Sequence, residues 1–108
     1  MTTGAAAVAS AEEQSRAQFV EERAARFVSF LREYGPNEEL EAVMAQYQPG
    51  LVVHTCTTLL LPLAAAGRLP ALADEVVKRL TKVPEDKAAV VRDKVGRYLA
   101  CFVAALSG

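Results

Sequence analysis

The sequence predicts an all-α protein, a compact bundle of about five helices around a central apolar helix that a proline kinks. Glycines and prolines divide the 108 residues into five segments. The breaks lie at Gly35-Pro36, Pro49-Gly50, Gly67 with Pro70, and Val83-Pro84. Most segments carry apolar residues at helical spacings of three and four. The stretch between Glu41 and Arg68 contains no Asp, Glu, Lys or Arg, so the charged, amphipathic segments are expected to pack around it.

The first predicted helix runs from about residue 11 to residue 34. Ser10 and Glu13 form a capping-box pattern at its start. Its apolar stripe consists of Val20, Ala24, Phe27, Leu31 and Tyr34. Phe19 and Phe30 lie beside this stripe and widen the apolar face. Residues 1–9 are predicted to be a flexible N-terminal tail, and residues 10–108 a single helical domain.

The second and fourth predicted helices are short. The second begins after Asn37, whose side chain is suited to cap a helix, and its stripe is Leu40, Val43, Met44 and Tyr47. The fourth begins near Pro70, with proline in its first turn, and its stripe is Leu72, Val76 and Leu80.

The third segment has features of both a strand and a helix. Val52, Val53 and three threonines are β-branched, which favours a strand, but no other segment offers a strand to pair with it. As a helix, one side holds Val52, Val53, Cys56, Leu59, Leu60 and Leu63. The opposite side holds His54, Thr57 and Thr58, and this sorting favours a helix with a kink at Pro62.

The fifth predicted helix starts at Pro84 and carries no charge after Arg97. Because its end is apolar on every side, it must be enclosed, either by the other helices of this chain or by a second chain. If a second chain encloses it, the candidate interface residues are Phe19, Phe30, Leu99, Phe102, Val103 and Leu106. The sequence leaves both possibilities open.

Candidate chemistry is limited to a polar edge formed by His54, Thr57 and Thr58. His54 and Cys56 point about 200° apart on a helix, so they cannot share a ligand site. The sequence contains no glycine-rich phosphate loop, EF-hand loop, Cys-x-x-Cys or His-Glu-x-x-His motif. We therefore predict no catalytic residue, no metal ligand and no cofactor.

Composition narrows the classes of partner and the location. The net charge is −1, and the basic residues of the second half alternate with acidic ones, which argues against nucleic-acid binding. The apolar stretch from Leu51 to Ala66 is shorter than the roughly 20 residues of a membrane span. Two cysteines in apolar surroundings, and an N-terminus unlike a signal peptide, predict a cytoplasmic, intracellular protein.

These observations predict a small helical domain for protein–protein interaction or an adaptor role, with a protein partner that includes a second copy of itself. One alternative is a helical bundle that binds a small apolar ligand between the third and fifth helices. The other alternative is an enzyme that uses His54.

Overall fold

The computed structural model describes residues 3–107, with side chains from Gln14 onward, and contains five helices. They are α1 (Thr3–Arg32), α2 (Glu38–Met44), α3 (Val52–Ala65), α4 (Leu69–Lys78) and α5 (Ala88–Ser107). One 3-10 turn extends α2 (Ala45–Tyr47) and another precedes α5 (Glu85–Lys87). No β-strand occurs in the described range, and the predicted all-α bundle is confirmed.

The first helix is longer than the sequence predicts. It begins at Thr3, so the expected cap Ser10 lies inside the helix and residues 3–9 of the predicted tail are helical. The first two residues of that tail lie outside the described residues. Four of residues 5–9 are alanine, the strongest helix former, and extending a nucleated helix is far easier than starting one. The packed part of α1 begins at Val20.

The second helix starts as predicted. The side chain of Asn37 accepts a hydrogen bond from the backbone N–H of Leu40, with 3.0 Å between nitrogen and oxygen. Glu38, Glu39 and Glu41 lie in the first turn, where carboxylates interact favourably with the helix dipole. Leu40 and Met44 are buried on its inner side.

The third segment is a helix, and it contains a π-helical turn, Cys56–Leu60, directly before Pro62. There the N–H of Leu61 donates to the carbonyl of Cys56, five residues back. A π turn advances each residue by less than 100°, so residues four apart stay on one side, and Val52, Cys56 and Leu60 are all fully buried. The same change of angle moves Leu59, predicted for the buried side, outward to 39% exposure.

The last helix, α5, packs against α1, α3 and α4. Its buried stripe is Val91, Val95, Leu99 and Phe102. At its centre the ring of Phe27 lies 5.6 Å from Tyr47, 5.2 Å from Tyr98 and 5.8 Å from Phe102, measured between ring centres. Such aromatic pairs contribute about 0.5–1.5 kcal/mol each beyond their buried area. The third helix, α3, packs on α1 and α5 with one side and exposes the other side.

Hydrogen bonds tie the α1–α2 connection to the α4–α5 connection. Three backbone hydrogen bonds of 2.8–3.0 Å join Asn37 to Arg79, Gly35 to Thr81, and Tyr34 to Lys82. The Thr81 hydroxyl also donates to the Gly35 carbonyl at 2.6 Å. We call this pairing of residues 34–37 with residues 79–82 the clasp. Gly35 has φ of 67°, and a Cβ atom there would lie 2.7 Å from the Thr81 oxygen.

We expect Gly35→Ala to destabilise the protein more than Gly67→Ala. Both glycines have positive φ, which costs an alanine about 1 kcal/mol, but a Cβ at Gly67 meets nothing within 4 Å. The contact with Thr81 adds about 1–3 kcal/mol at Gly35. Urea unfolding of the two variants measures the difference. Equal losses of unfolding free energy would show that the clasp tolerates a side chain at this position.

Candidate interaction surfaces

The predicted interface residues divide between the core and the surface. Leu99 and Phe102 are 1% and 0% exposed, so they are core residues and cannot form an exposed interface on this chain. One side of the apolar end of α5 is enclosed by the chain's own helices, and the other side is exposed. Val103 and Leu106 are half-buried against the same core. Phe19, 38% exposed, lies at the surface of α1.

The predicted polar edge lies on the solvent side of α3. His54, Thr57 and Thr58 are all exposed. The hydroxyls of Thr57 and Thr58 donate to the carbonyls of Val53 and His54, each at 2.8 Å. Both hydroxyl protons are therefore held within the helix, which leaves the imidazole of His54 as the free polar group of this edge.

The charge-free stretch forms an exposed surface on the outer side of α3. We call it the neutral face, and it consists of Leu51, His54, Thr58, Leu59 and Pro62. Spacings of three and four residues place these side chains next to one another along the helix. Leu51 is 51% exposed and Leu59 is 39% exposed. Since residues 42–67 contain no ionisable carboxylate, ammonium or guanidinium group, α3 carries no such charge anywhere along its length.

A second surface is the groove between α1 and α5. Two adjoining pockets of about 410 and 500 Å³ share Lys94 and Tyr98 and together form this groove. Its apolar lining includes Phe30, Tyr98 and Val90, which is 67% exposed. Four basic and two acidic residues complete its charge: Arg23, Arg26, Lys94, Arg97, Glu33 and Asp93.

Two of the groove cations lie on aromatic rings. The Nζ atom of Lys94 lies 4.6 Å from the centre of the Phe30 ring, and the Cζ atom of Arg23 lies 4.9 Å from the centre of the Phe19 ring. Arg97 forms a 2.9 Å ion pair with Asp93. Within residues 14–107, Arg23, Arg26 and Lys94 form no salt bridge.

A spacing pattern in the sequence of α1 places two of the groove cations on one helix face. Phe19, Arg23, Arg26 and Phe30 recur at spacings of four, three and four, so they share one face of α1. Only the two phenylalanines were predicted as candidate interface residues. The arginines between them were not among those candidates, because their placement beside α5 depends on how the two helices pack.

Ion pairs border the remaining grooves. Arg79 bridges α4 and α2 through Glu75 at 2.7 Å and Glu39 at 2.9 Å, beside a groove that contains Val43. The hydrogen bond from Arg79 holds the pKa of Glu75 below its usual range. Between α4 and α5, the hydrogen bond from Arg92 likewise lowers the pKa of Asp74. Structural ion pairs therefore explain both of these perturbed carboxylates.

Cys56 and Cys101 are both free cysteines. Cys56 is fully buried, and burial raises the pKa of its thiol from 9.0 to about 11. Burial, followed by the nearby Cys56, also raises the pKa of Tyr47. Cys101 is half-buried and lines the α1–α5 groove. The intracellular location inferred from reduced cysteines stays a prediction.

The two alternative functions stay predictions. The pockets lie between α1 and α5, α2 and α4, and α4 and α5, and none of these four pockets lies between α3 and α5 or includes His54. No cluster of three His, Cys, Asp or Glu side chains suited to a metal ion occurs among the residues with described side chains.

We also tested the helices of residues 3–107 for the length and apolarity of a membrane span. No single helix meets both requirements. The pair α3 and α4 meets them only when taken together, and the two helices are bent by 119° relative to each other.

Comparison with protein-family models, with curated proteins and with solved structures gave no match.

We expect one of the two thiols to react with maleimide in the folded protein. Cys101 borders an open groove, whereas Cys56 is fully buried with a raised pKa, and the thiolate is the reactive form. Mass spectrometry of peptides after brief labelling at neutral pH should locate the adduct at Cys101. In denaturant both should react. Comparable labelling of both thiols in folded protein would contradict the burial of Cys56.

We expect stability to fall in alkaline solution as Cys56 ionises. The unfolded thiol loses its proton near pH 9.0 and the folded thiol near pH 11, so its contribution is intact below pH 9.0 and is lost as the pH rises to about 11. The loss is on the order of 2 kcal/mol. Urea unfolding across this range should show a smaller loss for Cys56→Ala than for wild type. Cys101→Ala, which keeps the buried thiol, should behave as wild type.

Proposed function

We propose that this chain is a helical protein–protein interaction domain that self-associates through the neutral face of α3. The observation that carries the proposal is the exposure of Leu59 on α3 and of Leu51 directly before it, on a helix that has no Asp, Glu, Lys or Arg. Surface helices of globular proteins normally carry charged residues on the solvent side. The other long helices of this bundle follow that pattern, and α3 does not.

The cost of exposing this surface favours a protein partner. Burying apolar area contributes about 25 cal/mol per Å². Because Leu51 and Leu59 are 51% and 39% exposed, a partner that covers these side chains gains this free energy on binding. Interface cores are depleted of charged residues relative to the rest of a protein surface, which is the composition of the neutral face. His54 and Thr58 add polar groups that suit the rim of such a contact.

A second copy of the chain is the partner that matches this surface most directly. A two-fold interface brings the same residues of both copies together, so any charge near the axis would face an identical charge. The neutral face meets its own copy without that repulsion because none of its five members is Asp, Glu, Lys or Arg.

We expect Leu59→Lys to weaken self-association at least tenfold in dissociation constant. The substitution places two ammonium groups in an interface that has no carboxylate to pair with them. Sedimentation velocity over a range of protein concentrations measures the effect. Circular dichroism should show an unchanged helical spectrum, because Leu59 is already partly exposed.

Val90→Lys is the matched control. Val90 is 67% exposed and lies on α5, away from α3, so the same charge there should leave the dissociation constant unchanged. A wild-type chain that stays monomeric at high concentration would refute self-association. Equal weakening by both variants would show that any added charge acts, and would remove the neutral face as the interface.

A further inference from the structure

We propose that the α1–α5 groove binds an acidic, amphipathic helix of another protein. The carboxylates of that helix pair with Arg23, Arg26 and Lys94. Its apolar side chains contact Val90 and Tyr98. The groove lies on α1 and α5 and the neutral face on α3, so this inference goes beyond self-association and does not depend on it.

The charge of the groove selects an acidic partner. The chain has a net charge of −1, yet the groove lining has four basic residues against two acidic ones. One of the two acidic residues, Asp93, is occupied by Arg97 at 2.9 Å. Arg23, Arg26 and Lys94 have no carboxylate partner among the residues whose side chains are described. Carboxylates of a partner would complete these three sites.

The aromatic rings hold two of these cations in place before a partner arrives. Arg23 lies over Phe19, and Lys94 lies over Phe30. A guanidinium stacked on a ring keeps its N–H groups free at its edge, where a carboxylate accepts two parallel hydrogen bonds. Because the side chains are already positioned, less conformational entropy is lost on binding.

The size of the groove fits a short helix. The lining on α1 runs from Arg23 to Glu33, ten residues that correspond to about 15 Å along the helix axis, or nearly three turns. A helix of this length presents apolar residues at positions i, i+3, i+4 and i+7 to a groove. Val90 and Tyr98, two turns apart on α5, lie along the opposite wall.

A nucleic acid fits the same groove less well. Glu33 and Asp93 lie in the lining and would repel backbone phosphates. Three unpaired cations would neutralise few phosphates, and sequence-independent binding requires many. The exposed isopropyl group of Val90 gains nothing from a phosphate, whereas it is buried by an apolar side chain.

Two helical peptide libraries displayed on phage test the proposal on the full-length protein. Both carry Leu, Ile, Val or Phe at i, i+3, i+4 and i+7, with Glu and Asp on the flanks in one library and Lys and Arg in the other. We expect only the acidic library to be enriched. Enriched peptides should bind at least ten times more weakly to Arg23→Glu/Lys94→Glu than to wild type.

The controls separate the groove from overall charge and from self-association. Arg68→Glu changes an exposed cation outside the groove and should leave binding unchanged, and so should Leu59→Lys in the neutral face. Arg23→Gln/Lys94→Gln removes the same two positive charges without adding negative ones, so it should also weaken binding. It replaces the charge-reversed variant if that variant does not fold.

Three results would overturn the proposal. The first is no enrichment of the acidic library, or equal enrichment of the basic one. The second is binding that persists in both double variants. The third is competition in which a single-stranded DNA oligonucleotide displaces the peptide and itself binds more tightly through Arg23 and Lys94. Failure of these experiments would leave self-association through α3 untouched, because Leu59→Lys tests that separately.

Discussion

The structure depends on the packing of aromatic rings around Phe27, which fixes α1 against α5. Rings from α1, from the turn after α2 and from α5 meet at this point. The contact places α5 in the middle of the bundle and buries Phe102 completely. It also sets the distance between the two helices, so the groove along their outer edge is a direct product of the core. The shape of the groove at the surface therefore depends on the packing of the rings in the core.

The number of helices and the all-α class were predictable because glycine, proline and a capping asparagine mark the breaks between the helices. Gly35 and Gly67 both adopt positive φ where helices end, and Asn37 caps α2 as its position suggests. The π turn was not predictable, although Pro62 marked its place. A proline removes one hydrogen bond, and whether the helix bends or widens depends on which residues must reach the core. The early start of α1 was missed because alanine propagates a helix without any cap.

The candidate surfaces were predictable only in part, for a related reason. The end of α5 is apolar on every side, so its sequence does not show which side faces the core. Packing against the neighbouring helices determines that Leu99 and Phe102 are core residues. Phe19 lies at the surface beside the main stripe of α1, as its spacing predicts, but Phe30 is 9% exposed and belongs to the core. The cations between them become part of a groove only because α5 packs beside them. The absence of charge in residues 42–67 first indicated a core element, and the structure shows that one side of it is a surface.

The clasp divides the chain into a closed loop and two arms. The hydroxyl contact between Gly35 and Thr81 joins residues 46 positions apart, and α2, α3 and α4 lie inside the loop so formed. The arms are α1 and α5, which leave the clasp side by side and become the two walls of the groove. Because α3 and α4 also pack on α5, moving α5 away from α1 would break contacts with the loop as well as the aromatic cluster around Phe27. The two walls of the groove are therefore held at a fixed separation by the whole bundle.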